Sequence, residues 1–239
     1  NETKNAIFVS ATSETSDVDP EPGPPACFLD RDHVAKLTEH AKIKEKQGAD
    51  DRLADGRRDE EEEPTPKKPA AHKPRRLLRT VISSMKNSKQ FGHQIKREAK
   101  RRRFDEAPRK AFDADGLTYN WTIHAEHFDD YIAILDFTHA VSYLFTASLI
   151  LYGKTDQAWE AYCHWMTQIW RGDAADVICE LCEHQLRIGN PDEKADEDDL
   201  RERLRRVICY LHNNRRRMKY DQYRRSGLPT SSAWMESAV

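Results

Sequence analysis

Three acidic residues stand where carboxylates could do chemistry. Asp115 follows the run Lys110-Ala111-Phe112-Asp113-Ala114 and precedes Gly116. Asp136 closes the apolar run Tyr131 to Leu135 and leads into Phe137-Thr138-His139. Glu236 follows the breaker Gly227-Leu228-Pro229 and the hydroxyl pair Ser231-Ser232. An acid just past the end of a buried strand faces solvent at the strand's mouth, where its oxygens can hold a hard divalent cation. Phosphodiester chemistry is commonly staged around such ions. Each acid also has a plainer role: Asp-Gly is a turn signal, Asp136 can cap a helix beginning near Thr138, and a helix dipole favours a glutamate near its N-terminus. His139 could contact phosphate or orient a carboxylate, or simply sit satisfied at the sheet's edge.

The elements that must position these acids follow from hydrophobic periodicity. Lys110–Ala114 and Tyr131–Leu135 read as strands, with a helix from Leu117 toward His127 and Phe128 between them. Strand, acid, helix, strand is a βαβ unit, whose ligands gather at the C-terminal ends of its strands. From Ala140 to Tyr223 the pattern is helical throughout. Val141, Leu144, Phe145, Leu149 and Tyr152 form one stripe; Trp159, Tyr162, Cys163, Met166, Ile169 and Trp170 form the next. A third, Val177, Ile178, Leu181, Cys182 and Leu186, stops at Gly189-Asn190-Pro191. After an acidic loop from Asp192 to Asp199 comes a last stripe of Leu200, Leu204, Val207, Ile208 and Leu211. Upstream, Arg75 to Phe104 is expected to be an amphipathic helix interrupted near Asn87, and Asn5 to Ser10 a short strand. Between them, residues 11–73 are expected to be mostly disordered or loop, with Phe28 to Lys46 the one helix able to dock; the acidic run Asp59 to Glu63 reads as solvated linker.

Length and composition set the outer limits. The 239 residues allow one or two domains, yet 38 % hydrophobic and 33 % charged residues, with a mean hydropathy of −0.88, leave part of the chain outside any core. The formal net charge of −2 averages an acidic N-terminal region with arginine clusters further on, and association follows local potential more than the total. One cluster lies on the expected helix from Arg75, with Arg101, Arg102 and Arg103 at its end. The other interleaves Arg215, Arg216, Arg217, Lys219, Arg224 and Arg225 with Met218, Tyr220 and Tyr223. Cations among aromatic side chains suit DNA, where arginine neutralises phosphate and a ring stacks on an unpaired base; a solvated helix face is the alternative. An odd cysteine count of five, with no signal peptide, argues against a disulfide framework and for a reducing compartment. No apolar run approaches the roughly 20 residues of a membrane span. Cys179-Glu180-Leu181-Cys182-Glu183-His184 invites a zinc reading, but Cys182 falls in the apolar stripe. Cys163, His164, Cys209 and His212 offer no second close pair of the usual spacing, so no zinc is assigned.

Asp115-Gly116 with Trp121, Glu126-His127-Phe128 and Ile134-Leu135-Asp136-Phe137-Thr138-His139 resembles the segment around the second catalytic aspartate of the DDE transposases of bacterial insertion sequences. Tyr220, Tyr223-Arg224, Gly227-Leu228-Pro229, Ser231-Ser232 and Glu236-Ser237 resemble the stretch around that family's catalytic glutamate. The resemblance covers most of residues 75–239 and implies an RNase H-like α/β fold with an all-α insertion, residues 140–225, before the last acid. It implies Asp115 and Glu236 as catalytic metal ligands for two Mg2+ or Mn2+ ions, with Asp136 and His139 secondary. Transposon-end and target DNA are the implied partners, bound by a homo-oligomer on the bacterial nucleoid in the cytoplasm. The family's first aspartate has no counterpart here, so the chain alone is expected to be inactive or nearly so. It opens on Asn1 and stops at Val239 with a helical pattern still running, so both ends are expected to continue in a longer protein.

Overall fold

A computed structural model describes residues 4–47, 75–192 and 195–231. The acidic run at 59–63, most of the expected linker and Glu236 lie outside the described residues. The fold is mixed α/β, 59 % helical and 13 % strand, so its two small sheets are minor partners to the helices.

The first sheet pairs β1 (Lys4–Thr12) antiparallel with β2 (Arg75–Ser84), with a register shift between Ser10 and Ala11. The expected helix from Arg75 is therefore a strand as far as Ser84. Leu77, Val81 and Met85, spaced like a helical face, also fall on one face of a strand, and here they are exposed. The β-branched run Thr80-Val81-Ile82 favours extended backbone, and the deciding partner lies some seventy residues away. Helix α1 (Arg31–Gln47) docks through Val34 and Leu37 against the helical layer. Asn87 ends β2's excursion and caps α2 (Ser88–Arg101) by accepting from the Gln90 amide at 2.9 Å. The buried face of α2, Phe91, Ile95 and Ala99, packs with Phe8 of β1 in a small second core.

The second sheet pairs β3 (Ala111–Ala114) parallel with β4 (Ile132–Leu135), in the register Ala111 to Ile132 through Ala114 to Leu135. Helix α3 (Thr118–His127) makes the crossover. Ile134 and Leu135 are both fully buried, as expected for parallel strands covered on two sides. Tyrosines cover the outer edge of β4: the Tyr220 hydroxyl donates to Leu135 O at 2.8 Å and that of Tyr223 to Ala133 O at 3.3 Å. Carbonyls that would otherwise recruit another strand are thereby occupied.

The main core is a helical layer of α4 (Phe137–Tyr152), α5 (Asp156–Arg171), α6 (Ala174–Ile188), α7 (Leu200–Asn214) and the short α8 (Tyr220–Arg225). Asp136, Thr155 and Asp199 each accept an amide at the N-terminus of the helix they precede, and Gly172 ends α5 at a φ of 97°. The buried stripes are those read from periodicity, except that Cys182, Leu186 and Leu200 are exposed.

Residues 13–27 were expected to be surface loop or disordered, and the helix expected from Phe28 begins at Arg31. Residues 13–30 form a loop strapped across the helical layer. Ser16 N donates to Arg225 O at 2.8 Å, Trp170 Nε1 to Glu21 O at 2.8 Å and Tyr162 OH to Phe28 O at 3.1 Å. Arg224 lies buried over the Trp170 ring, 4.0 Å from its centroid, donating to Trp170 O and ion-pairing Asp19. Each of these anchors comes from residues more than a hundred positions away, so local composition carries no trace of them.

Candidate active site and nucleic-acid interface

Asp115 and Asp136 each follow the last residue of a strand, and Ala114 and Leu135 are register partners. The Asp136 amide extends the ladder by donating to Ala114 O at 2.9 Å. The βαβ unit thus places the two acids side by side at the C-terminal mouth of the sheet.

Their hydrogen bonds differ. Asp115 Oδ1 accepts from Leu117 N at 3.0 Å and from Asn120 Nδ2 at 2.8 Å, the bonding of an Asx turn leading into α3. From α7, the Tyr210 hydroxyl donates to Asp115 O at 2.6 Å, and its ring stacks on Tyr143 with centroids 3.6 Å apart. Gly116 is obligatory: its φ is 92°, and a Cβ there would lie 2.6 Å from the Tyr210 oxygen. Asp136, 3 % exposed, caps α4 by accepting from Thr138 N at 2.8 Å. His139 Nδ1 lies 3.9 Å from Asp136 Oδ2, beyond hydrogen-bond reach, and is buried without a partner.

Sequence reasoning missed Asp113. It sits in β3, two residues before Asp115 and therefore on the same face, with both carboxylate oxygens buried and unpartnered. Burial first, then the charges of Asp136 and Asp115, push its carboxyl well above the usual range. The alternation of strand faces was the signal that could have grouped it with Asp115.

Glu236 and residues 232–235 lie outside the described residues; the chain is described as far as Ser231. Leu228 is buried, and Gly227 turns with a φ of 65°. Phe137 N donates to Thr230 O at 3.0 Å, and the Thr138 and Ser231 hydroxyls are 2.8 Å apart. The chain therefore returns from the helical layer to the N-terminus of α4, beside Asp136.

Two hard carboxylates at one strand mouth are a donor set suited to Mg2+, which commonly takes one or two carboxylates and fills its shell with water and substrate phosphate. Among the described residues, no three His, Cys, Asp or Glu groups converge on a single metal position.

The nine cations proposed for DNA divide sharply. Arg101 and Arg102 both pair with Glu98, at 2.6 and 2.5 Å, and Arg103 pairs with Glu106 at 2.5 Å. Arg225 pairs with Asp221, and Arg224 is buried with Asp19. Arg217 stacks over Trp121 at 4.2 Å and donates to Asn213 O at 3.1 Å. Arg215, Arg216 and Lys219 have no carboxylate partner among the described residues. With Arg217 they line an open concavity of about 690 Å³, which Ile132 and Ala133 of β4, Gln222 and Tyr223 complete. Arg224 is thus an internal strut and not a nucleic-acid contact, because its guanidinium is already desolvated and paired.

No protein-family model, curated protein or solved structure matches the chain. Among the described residues no helix is long and apolar enough to cross a membrane.

Proposed function

We propose that this chain belongs to a DDE-type insertion-sequence transposase, in which an RNase H-like core cleaves transposon ends and transfers the strand into target DNA. The observation that carries the reading is the return of Thr230 and Ser231 to Phe137 and Thr138. It brings Thr230 and Ser231 to the strand mouth, where Asp115 and Asp136 stand, after a wholly helical excursion. That order, two strand-end acids, a helical insertion and a chain that returns to them at Thr230 and Ser231, supports the reading.

In this reading Asp115 and Glu236 would hold the divalent ions, which would supply activation of the attacking water or 3'-hydroxyl and charge neutralisation at the leaving oxygen. The protein's own groups do the rest. Tyr210 and the Gly116 turn fix the backbone of Asp115, and Asp136 anchors α4 while adding negative potential beside the site. Arg215, Arg216 and Lys219 neutralise DNA phosphates approaching along the β4 edge. Neither β1 nor β2 carries an aspartate, so the first acid of a DDE set is not supplied by these strands. The isolated chain is accordingly expected to bind DNA without cutting it.

The second reading, a DNA-binding protein without metal chemistry, rests on the same concavity and on that missing acid. A metal-dependent nuclease of the same fold is a third. Incubation of the chain with nicked and intact duplex DNA in Mg2+ or Mn2+, beside an Asp115→Asn variant, tests them. Metal-independent binding with no cleavage by either protein fits an incomplete acid set. Metal-dependent cleavage that Asp115→Asn abolishes, without strand transfer, supports the nuclease, and cleavage that survives Asp115→Asn refutes the assigned role of Asp115.

A further inference from the structure

The concavity beside β4 offers more than a seat for a phosphate backbone. Arg215, Arg216 and Lys219 stand around it, but its wall along the sheet edge is uncharged: Ala133 and Ile132, the latter 43 % exposed. Asn213 and Gln222 add side-chain amides that can both donate and accept, and Ser226 adds a hydroxyl. Phosphate contacts alone need only cations on an open surface, because they carry no information about bases. An uncharged wall bordered by amides suits a flat ring with donors and acceptors along its edge. At about 690 Å³ the space falls in the size range of small-ligand pockets.

The side chains expected to stack on a base in this stretch are taken up by the core. Met218 and Tyr220 are fully buried, and Tyr223, 6 % exposed, turns its hydroxyl to Ala133 O. Arg217 stands in their place. Its guanidinium lies 4.2 Å from the centroid of the Trp121 ring, which reaches it from α3, and its Nη1 donates to Asn213 O at 3.1 Å and to Asn214 Oδ1 at 3.3 Å. Backed by an indole and pinned by these hydrogen bonds, the planar cation is held in place where it lines the concavity. Unpaired bases stack on guanidinium planes as they do on aromatic rings.

We propose that the concavity takes one unpaired nucleotide, its base stacked on Arg217 and edged by Asn213 and Gln222, with the flanking phosphates on Arg215, Arg216 and Lys219. This rests on the reading of the concavity as a DNA contact and not on the acid chemistry. The partner is therefore DNA with a single-stranded or frayed end. An intact duplex keeps its bases stacked on one another and brings this site only phosphates.

The test compares a blunt duplex, the same duplex with a short single-stranded overhang, and the single strand alone, all at one salt concentration. Fluorescence anisotropy should show the overhang bound at least about tenfold more tightly than the blunt duplex, as one stacked base supplies. 2-Aminopurine in the overhang should lose fluorescence on binding, the signature of a stacked base. Arg217→Lys keeps the charge and removes the plane, and Trp121→Ala removes the backing; each should bring the ratio of overhang to blunt affinity close to one. Loss of charge or of fold weakens both probes together, so the ratio separates stacking from either. Equal affinity of the unmutated chain for overhang and blunt duplex overturns the proposal and leaves the DNA contact standing, as does a preference that survives Arg217→Lys. No binding to any of these probes at low salt overturns the DNA reading as well.

Discussion

Asp19→Ala is the sharpest test of how the N-terminal strap is held. The Arg224 side chain is 4 % exposed and that of Asp19 18 %; Arg224 Nε donates to Asp19 Oδ1 at 2.8 Å, and its Nη2 pairs with Oδ2 in a two-pronged contact. An exposed pair of this kind is worth about 0–1 kcal/mol. Here removing the carboxylate leaves a guanidinium buried over Trp170 with no counter-charge, a change that typically costs about 3–5 kcal/mol. Because Asp19 keeps some solvent, the lower end applies, about 3 kcal/mol. For a chain of this size that loss lowers the melting temperature by roughly 6–12 °C. Urea denaturation with an unchanged m-value is the assay, and a loss below about 1 kcal/mol would refute the buried-pair argument.

The same pair has a pH signature. Burial pushes the Asp19 carboxyl up, but hydrogen bonds from Arg224 and the Glu21 amide and the charges of Arg224 and Arg225 outweigh it, so the pKa ends below its ordinary value. A carboxyl with a depressed folded pKa stabilises the fold above the unfolded pKa, about 3.9, and that contribution disappears as pH falls through the folded value. The stability difference between the parent chain and Asp19→Ala should therefore be full at neutral pH and shrink below about pH 4. DNA affinity under folded conditions should not change.

Three further expectations follow from the site. Alanine at Arg215, Arg216 and Lys219 together should weaken DNA binding uniformly across sequences and reduce the slope of log affinity against log salt by up to about 3; fluorescence anisotropy at several salt concentrations reads both, and an unchanged slope removes the concavity from the interface. Gly116→Ala, strained by its positive φ and by the Tyr210 oxygen, should cost more than about 1 kcal/mol in thermal or urea unfolding, and a neutral result would mean the turn relaxes away from Tyr210. Asp113→Val replaces a buried, unpartnered acid with a good strand former and should stabilise the chain by about 1–3 kcal/mol at pH 7.5; a loss of stability there would show that the carboxyl has a structural partner.

Local chemistry was sufficient for much of this molecule. The strands ending at Asp115 and Asp136 and the crossover between them were legible because a short apolar run bounded by Asp-Gly or by a capping aspartate has few other conformations. The helical stretch after Phe137 was legible because apolar residues recur at helical spacing over many turns. The stretch from Arg75 to Met85 was not, because eleven residues with apolar side chains at 77, 81 and 85 satisfy a helix and a strand face equally. Only β1, far away in the chain, decides between them. Residues 13–27 look unstructured for a related reason: what holds them is a buried ion pair and backbone hydrogen bonds to α5 and α8, and neither leaves a local pattern.

The candidate site divides along the same line. Types and spacing alone singled out Asp115, Asp136, His139 and the arginine clusters, because catalytic acids and cations announce themselves by charge at element ends. Which cations remain available was a tertiary matter, since pairing with Glu98, Glu106, Asp221 or Asp19 depends on where side chains fall in space. The grouping of Asp113 with its neighbours and the return of Thr230 and Ser231 to α4 were likewise invisible in one dimension. The sequence by itself determined the elements and the candidate donors, through periodicity and capping, which act over a few residues. The tertiary structure decided which donors are paired, buried or brought together, because charge pairing and desolvation depend on distances that only packing sets.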